Sequence, residues 1–150
     1  MKNLKIFIVL AGFLSHTIQA QKLEIHQLAG DFYVYTTYHD YDGKPFPSNS
    51  MYLVTDDGVI LFDTPWDEAQ CQPLLDSIEK RHNKKVMLCL VTHFHDDRTA
   101  GLDFLKSKGI KTWSTKQTYE LGKAHGIPGH FSWADKNSLE HTLKLLQPHR

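Results

Sequence analysis

His93, His95 and Asp97 stand at alternate positions in the run His93-Phe94-His95-Asp96-Asp97-Arg98. Two imidazoles and a carboxylate form a donor set that suits zinc, and a cluster made from one tight turn needs few distant partners to begin forming. The apolar run Val86-Met87-Leu88-Cys89-Leu90-Val91 leads directly into it. Such a run reads as a buried strand of a sheet covered on both faces. A ligand cluster at the carboxyl end of a buried strand sits where α/β folds place their active sites. Histidines and aspartates after a strand are also common as plain polar surface, and one H-x-H pair is weak evidence. Here Asp97, Arg98 and the preceding strand all agree with the metal reading.

The elements that must position this cluster follow from periodicity. Residues 23–37 are strand-like, with Phe32, Val34 and Thr36 alternating against Tyr33 and Tyr35. Residues 38–45 are turn-rich and predict a loop. Residues 51–54 and 59–62 predict a hairpin around Asp56-Asp57-Gly58. Leu74, Leu75 and Ile78 share a helical face, and Pro73 is tolerated only in a first turn. A helix is therefore predicted from near Gln72 to Asn83, followed by the strand 86–92. A second helix is predicted over 99–108, with Leu102 and Leu105 inward and Gly109 just past its end. A short strand at 110–113 comes next, then a third helix from Thr115 that Gly126 can end. Asn137 caps a last helix, with Glu140 at the capping-box position and Leu139, Leu143 and Leu146 on one side. Strands followed by alternating helix and strand predict an α/β fold.

The length of 150 residues suits one domain. Residues 1–20 read as an export signal: Lys2 and Lys5 are the basic start, 6–14 the apolar centre, and Ala20 the small residue before the cut. The apolar stretch is too short for a membrane span, which needs roughly 20 residues. A buried N-terminal helix is the alternative. Removing residues 1–20 takes away two lysines and no acid, which leaves 15 basic against 17 acidic residues and a net charge of −2. No basic stripe favours nucleic acid and no polybasic run favours an anionic membrane. A periplasmic monomer without a membrane anchor, acting on a small molecule, is the expectation for residues 21–150. Export permits a disulfide. Cys89, however, lies in the buried strand and Cys71 near a helix start, so both read as unpaired structural thiols.

The motif His93-x-His95-x-Asp97-Arg98 resembles the signature of subclass B1 metallo-β-lactamases, within the metallo-β-lactamase superfamily. Ser50-Met51-Tyr52-Leu53-Val54, the Asp57-Gly58 turn and Val59-Ile60-Leu61-Phe62-Asp63-Thr64-Pro65-Trp66 look like that family's N-terminal strands. Hydrolases of the glyoxalase II and lactonase type usually carry a second-metal histidine where this chain has Arg98. Ile127-Pro128-Gly129-His130, Trp133 and Glu140-His141-Thr142-Leu143 resemble the C-terminus of a B1 enzyme. The family's long middle has no counterpart. It carries a third histidine for the first zinc, a cysteine for the second and usually a lysine for the substrate carboxylate. Between Arg98 and His130 this chain offers His125 and no cysteine, and residues 126–127 look like a seam. The implied fold is an αββα sandwich left incomplete, an N-terminal half plus a C-terminal tail.

The resemblance implies a zinc-dependent hydrolase of the β-lactam amide bond, with two zinc ions in an intact site. His93 and His95 would hold the first zinc, and Asp97 and His130 the second. Asp97 would also orient the nucleophile. A solvated loop histidine is the alternative for His130. Asp63 would orient a histidine ligand, or is simply a strand-end acid. Arg98 would brace the site, or form a surface ion pair. Trp66 reads as packing, and residues 38–45 match the mobile loop that covers substrate in B1 enzymes. His26, His39, His82, His141 and His149 read as surface. With family ligands missing, a non-catalytic remnant that binds zinc weakly is the second reading. A superfamily thioester or lactone hydrolase is the third, against which Arg98 argues.

Overall fold

The computed structural model describes residues 23–126 and 132–133. The expected leader, the helix expected from Asn137, and His130 and His141 lie outside the described residues. Seven strands form one sheet in chain order: β1 (Glu24–Ala29), β2 (Phe32–Tyr41), β3 (Lys44–Val54), β4 (Val59–Phe62), β5 (Val86–Val91), β6 (Lys111–Ser114) and β7 (Ser132–Trp133). Neighbours from β1 to β4 are antiparallel, and those from β4 to β7 are parallel. Parallel neighbours need crossovers, and helices supply them: α1 (Cys71–His82), α2 (Asp96–Thr99), α3 (Leu102–Ser107) and α4 (Lys116–Ala124). All crossovers step the same way along the sheet, so the right-handed rule places α1, α3 and α4 on one face.

The core agrees with that placement. Tyr35, Tyr52, Leu61 and Cys89 from the sheet are fully buried with Leu74 and Ile78 of α1 and Leu102 and Leu105 of α3. Each such aliphatic side chain contributes about 1.5–3 kcal/mol relative to exposure. On the opposite face Ile60 and Leu88 centre a smaller cluster with Leu90 and Trp113. β5 is thus apolar on both faces, as its unbroken run predicts. Among the described residues there is one sheet with one helical layer, which is an incomplete form of the expected sandwich.

Helix ends follow the predicted chemistry. α1 stops at Asn83, in the left-handed region at φ 53. Thr115 caps α4 by accepting from Thr118 N at 3.1 Å. Residues 23–37 are strand as expected, in two pieces broken at Gly30 (φ 52). Two expectations are corrected. Residues 38–45 are mostly strand, because Asp42 (φ 54) and Gly43 (φ 73) make a two-residue turn of the hairpin-forming hand. Pro45 and Pro47 are tolerated in β3 because β4 pairs only with Met51–Val54, leaving the tip of the hairpin as an edge. The helix expected over 99–108 is interrupted at Gly101, whose backbone packs against Thr64 and Cys71.

Candidate metal centre

Val91 ends β5, and Thr92 carries the chain off the carboxyl edge of the sheet. His95 is extended at φ −69 and ψ 153 and caps α2. Its carbonyl accepts from Arg98 N at 2.9 Å and from Thr99 Oγ1 at 3.0 Å. This turn folds Asp97 back beside the two histidines. The ligand atoms of His93, His95 and Asp97 all lie within 4.8 Å of one another. The two imidazole rings are 5.0 Å apart and near perpendicular at 85°. These three donors could hold a metal ion. His130 lies outside the described residues.

Asp63 is joined to this cluster through Thr92, a link the sequence reading missed. Asp63 Oδ1 accepts from Thr92 N at 2.7 Å, and the Thr92 hydroxyl donates to the same carboxylate at 2.8–2.9 Å. That hydroxyl has one proton. His93 Nδ1, 3.0 Å from the same oxygen, must therefore be the donor in its own bond. The imidazole is left with its lone pair on Nε2, the state a metal needs. Asp63 itself is 5% exposed and sits at φ 67, a strained conformation for a residue with a side chain. Its carbonyl accepts from Tyr35 Oη at 2.9 Å and its N–H donates to Leu90 O, so the surroundings hold it there. Thr92, next to His93 at a strand end, was the available signal.

Burial raises the Asp63 carboxyl above the usual carboxylate range, opposed by the Thr92 hydrogen bonds and by Arg98. The folded state therefore binds the proton more tightly than the unfolded chain does. Stability falls as pH rises through the window between the ordinary value and the raised one. Asp63→Asn abolishes that loss. The variant is expected to unfold at a higher temperature than wild type at pH 7 in metal-free buffer, with the gain shrinking near pH 4. Thermal melts at the two pH values check this, and a gain confined to pH 4 would reverse the sign of the argument.

Arg98 contacts both Asp97 and β3. Its Nε lies 3.1 Å from Asp97 Oδ2, an ion-pair distance that is off the line of a hydrogen bond. Its Nη1 donates to Asn49 O and to Ser50 Oγ on β3. The guanidinium thus links Asp97 to a strand almost fifty residues away.

A cavity of about 370 Å³ opens beside the donors, lined by Trp66, Phe94, His95, Asp96, Asp97 and His125. Trp66 is one of its walls. His39 stacks on Trp66 at 4.5 Å and pairs with Asp67 at 2.8 Å, so it is not a plain surface histidine. His82 also has partners, a hydrogen bond to Tyr52 Oη at 3.0 Å and an edge contact with Tyr33. His26 is exposed and lies 3.6 Å from Glu24. His125 faces the cavity without joining the three-donor group. Both cysteines are free and buried, and burial pushes the Cys71 thiol up to about 12.

A mixed sheet with helical crossovers, presenting a His-x-His-x-Asp turn at its carboxyl edge, defines a class of α/β metal-site proteins. Residues 43–138 match the family model described as the metallo-beta-lactamase superfamily, and the chain belongs to that family. It is 43% identical over 122 residues to "Metallo-beta-lactamase type 2" of Elizabethkingia meningoseptica, covering 79% of this chain and 49% of that protein. It is 42% identical over 128 residues to "Metallo-beta-lactamase IND-1" of Chryseobacterium indologenes, covering 83% of this chain and 53% of that protein. The structure superposes on the crystal structure of metallo-beta-lactamase IND-7 with a TM-score of 0.68 at 38% identity, covering 89% of this chain and 56% of that one. The chain spans about half the length of the relatives it matches.

Proposed function

We propose that the cluster is a zinc centre for hydrolysis of the β-lactam amide bond. The observation that carries this is the convergence of His93, His95 and Asp97 beside an open cavity. Two imidazoles and a carboxylate match the three-ligand pattern of catalytic zinc, which leaves a position for water. Bound zinc would supply a hydroxide nucleophile near neutral pH and a positive charge for the developing oxyanion. The chain's own residues then set geometry. Thr92 and Asp63 fix the His93 tautomer. Arg98 holds Asp97 from the side. The relatives' names support the β-lactam substrate, and Arg98 in place of a histidine favours it over a thioester or lactone.

The rate is expected to be low. Among the described residues no cysteine joins the donors. A nucleophile misplaced by 1 Å loses roughly a hundredfold. Zinc-loaded chain assayed with nitrocefin should turn over slowly, orders of magnitude below a full-length relative. Chelator and His95→Ala should each abolish that turnover. Turnover that survives chelation would overturn the reading. Complete inactivity in folded, zinc-binding protein would leave the zinc-binding remnant as the function. Faster cleavage of a thioester than of nitrocefin would move the chain to the other hydrolase branch.

A further inference from the structure

The sheet face opposite the helices is apolar across three strands. Register pairs Ile60 of β4 with Leu88 of β5, and Leu90 of β5 with Trp113 of β6. Paired residues project to the same side, so these four make one continuous face. Ile60 is 0% exposed and Leu88 2%. Strand neighbours shield the flanks of such side chains and leave their tips open. The apolar neighbours of this pair among the described residues are Met87, Leu90 and Trp113, all on strands of the same sheet. The core residues of α1 and α3 pack on the other face, with Leu61 and Cys89. Full burial of Ile60 and Leu88 therefore calls for a cover beyond the described elements.

Residues 134–150 follow β7 and lie outside the described residues. β7 is two strands from β5, a lateral distance of roughly 10 Å. Residues 134–136 can span that distance at roughly 3.3 Å each. The helix predicted from its Asn137 cap runs roughly 15 Å over residues 137–146, about the width of three strands. Leu139, Leu143 and Leu146 fall on one side of it, and Glu140, His141 and Lys144 on the other. One apolar stripe thus matches the face in length and presents polar groups to water. The apolar residues 6–14 match it less well. The chain enters the sheet at β1, four strands from β5 or roughly 19 Å away. Residues 6–14 also have no polar side, so a helix there would leave apolar surface open.

We propose that residues 137–146 dock as a helix on the Ile60, Leu88, Leu90 and Trp113 face, with Leu139, Leu143 and Leu146 inward. The chain then covers both faces of its sheet by itself, with a helix where the expected sandwich has a second sheet. This inference is independent of the metal reading.

The test uses the full chain, labelled with carbon-13 at its leucine and isoleucine methyl groups. Nuclear Overhauser contacts are expected from the methyls of Leu139, Leu143 or Leu146 to those of Ile60 and Leu88. Filtered spectra of an equal mixture of labelled and unlabelled chain separate contacts within one chain from contacts between copies. Contacts only between copies would give the face to a second copy and overturn the proposal. Contacts from residues 6–14 in place of 139–146, or no contact from either, would overturn it too. Urea unfolding of Leu90→Ala, Leu143→Ala and the double variant is the second measurement. The double variant should lose about two- to tenfold less in folding equilibrium constant than the product of the single losses. Trp113→Leu replaces Leu90→Ala in the cycle should the latter fail to fold. Strictly additive losses would overturn the docking.

Discussion

Replacing His95 by alanine is expected to lower zinc affinity by more than about a hundredfold, because loss of a ligand exceeds the 10–100-fold typical of losing an outer partner. The three donors lie within 4.8 Å of one another, and the set has no spare member in that group. His93→Ala and Asp97→Asn should behave alike. Thr92→Val is the informative contrast. It keeps the side-chain shape and removes the hydroxyl that fixes the His93 tautomer and contacts Asp63. Its loss should be nearer tenfold. Competition against a chromophoric chelator measures all four. If Thr92→Val costs as much as His95→Ala, the hydroxyl is more than a positioning group. If neither matters, zinc binds elsewhere.

The reason His93, His95 and Asp97 were legible in the sequence is that their geometry is local. One strand end and one turn bring them together, and strand and turn are short-range patterns. Asp63 was legible as a candidate, yet its partner Thr92 was not, since their contact joins β4 to β5 across 29 positions. The pairing of His39 with Asp67 and Trp66 failed for the same reason, a separation of 28 positions. Residues 38–45 misled differently. Asp42 and Gly43 were correctly read as turn formers, but a turn of two residues can be all turn and no loop. Pro45 and Pro47 are harmless at an edge, and edge position is set by which strands pair, not by composition. Likewise the helix over 99–108 has continuous apolar spacing. Its break falls at Gly101, whose N–H donates to the buried Thr64 hydroxyl, a partner 37 positions away.

That glycine carries the largest stability effect expected away from the donors. Gly101 has φ −88 and ψ 1, a conformation open to any residue, so space is what it supplies. A Cβ built there would lie 2.5 Å from Cys71 Sγ, 3.0 Å from Thr64 Cβ and 3.3 Å from Thr64 Oγ1. Neither neighbour can easily yield. Cys71 and Thr64 are both fully buried, and the Thr64 hydroxyl accepts from Gly101 N at 3.0 Å. Thr64 N also donates to Arg98 O, so the push would reach the segment that carries Asp97. Gly101→Ala is therefore expected to cost about 1–3 kcal/mol in urea unfolding, the range for overpacking a filled core. It should weaken zinc binding as well, although the residue touches no donor. Cys71→Ala removes the sulfur that stands closest. The double variant should regain part of the loss, giving a favourable coupling in the cycle of the two changes. Additive costs would mean that the new methyl is accommodated by moving Thr64 and α2 rather than by pressing on the thiol. In that case zinc affinity should fall equally in the single and double variants.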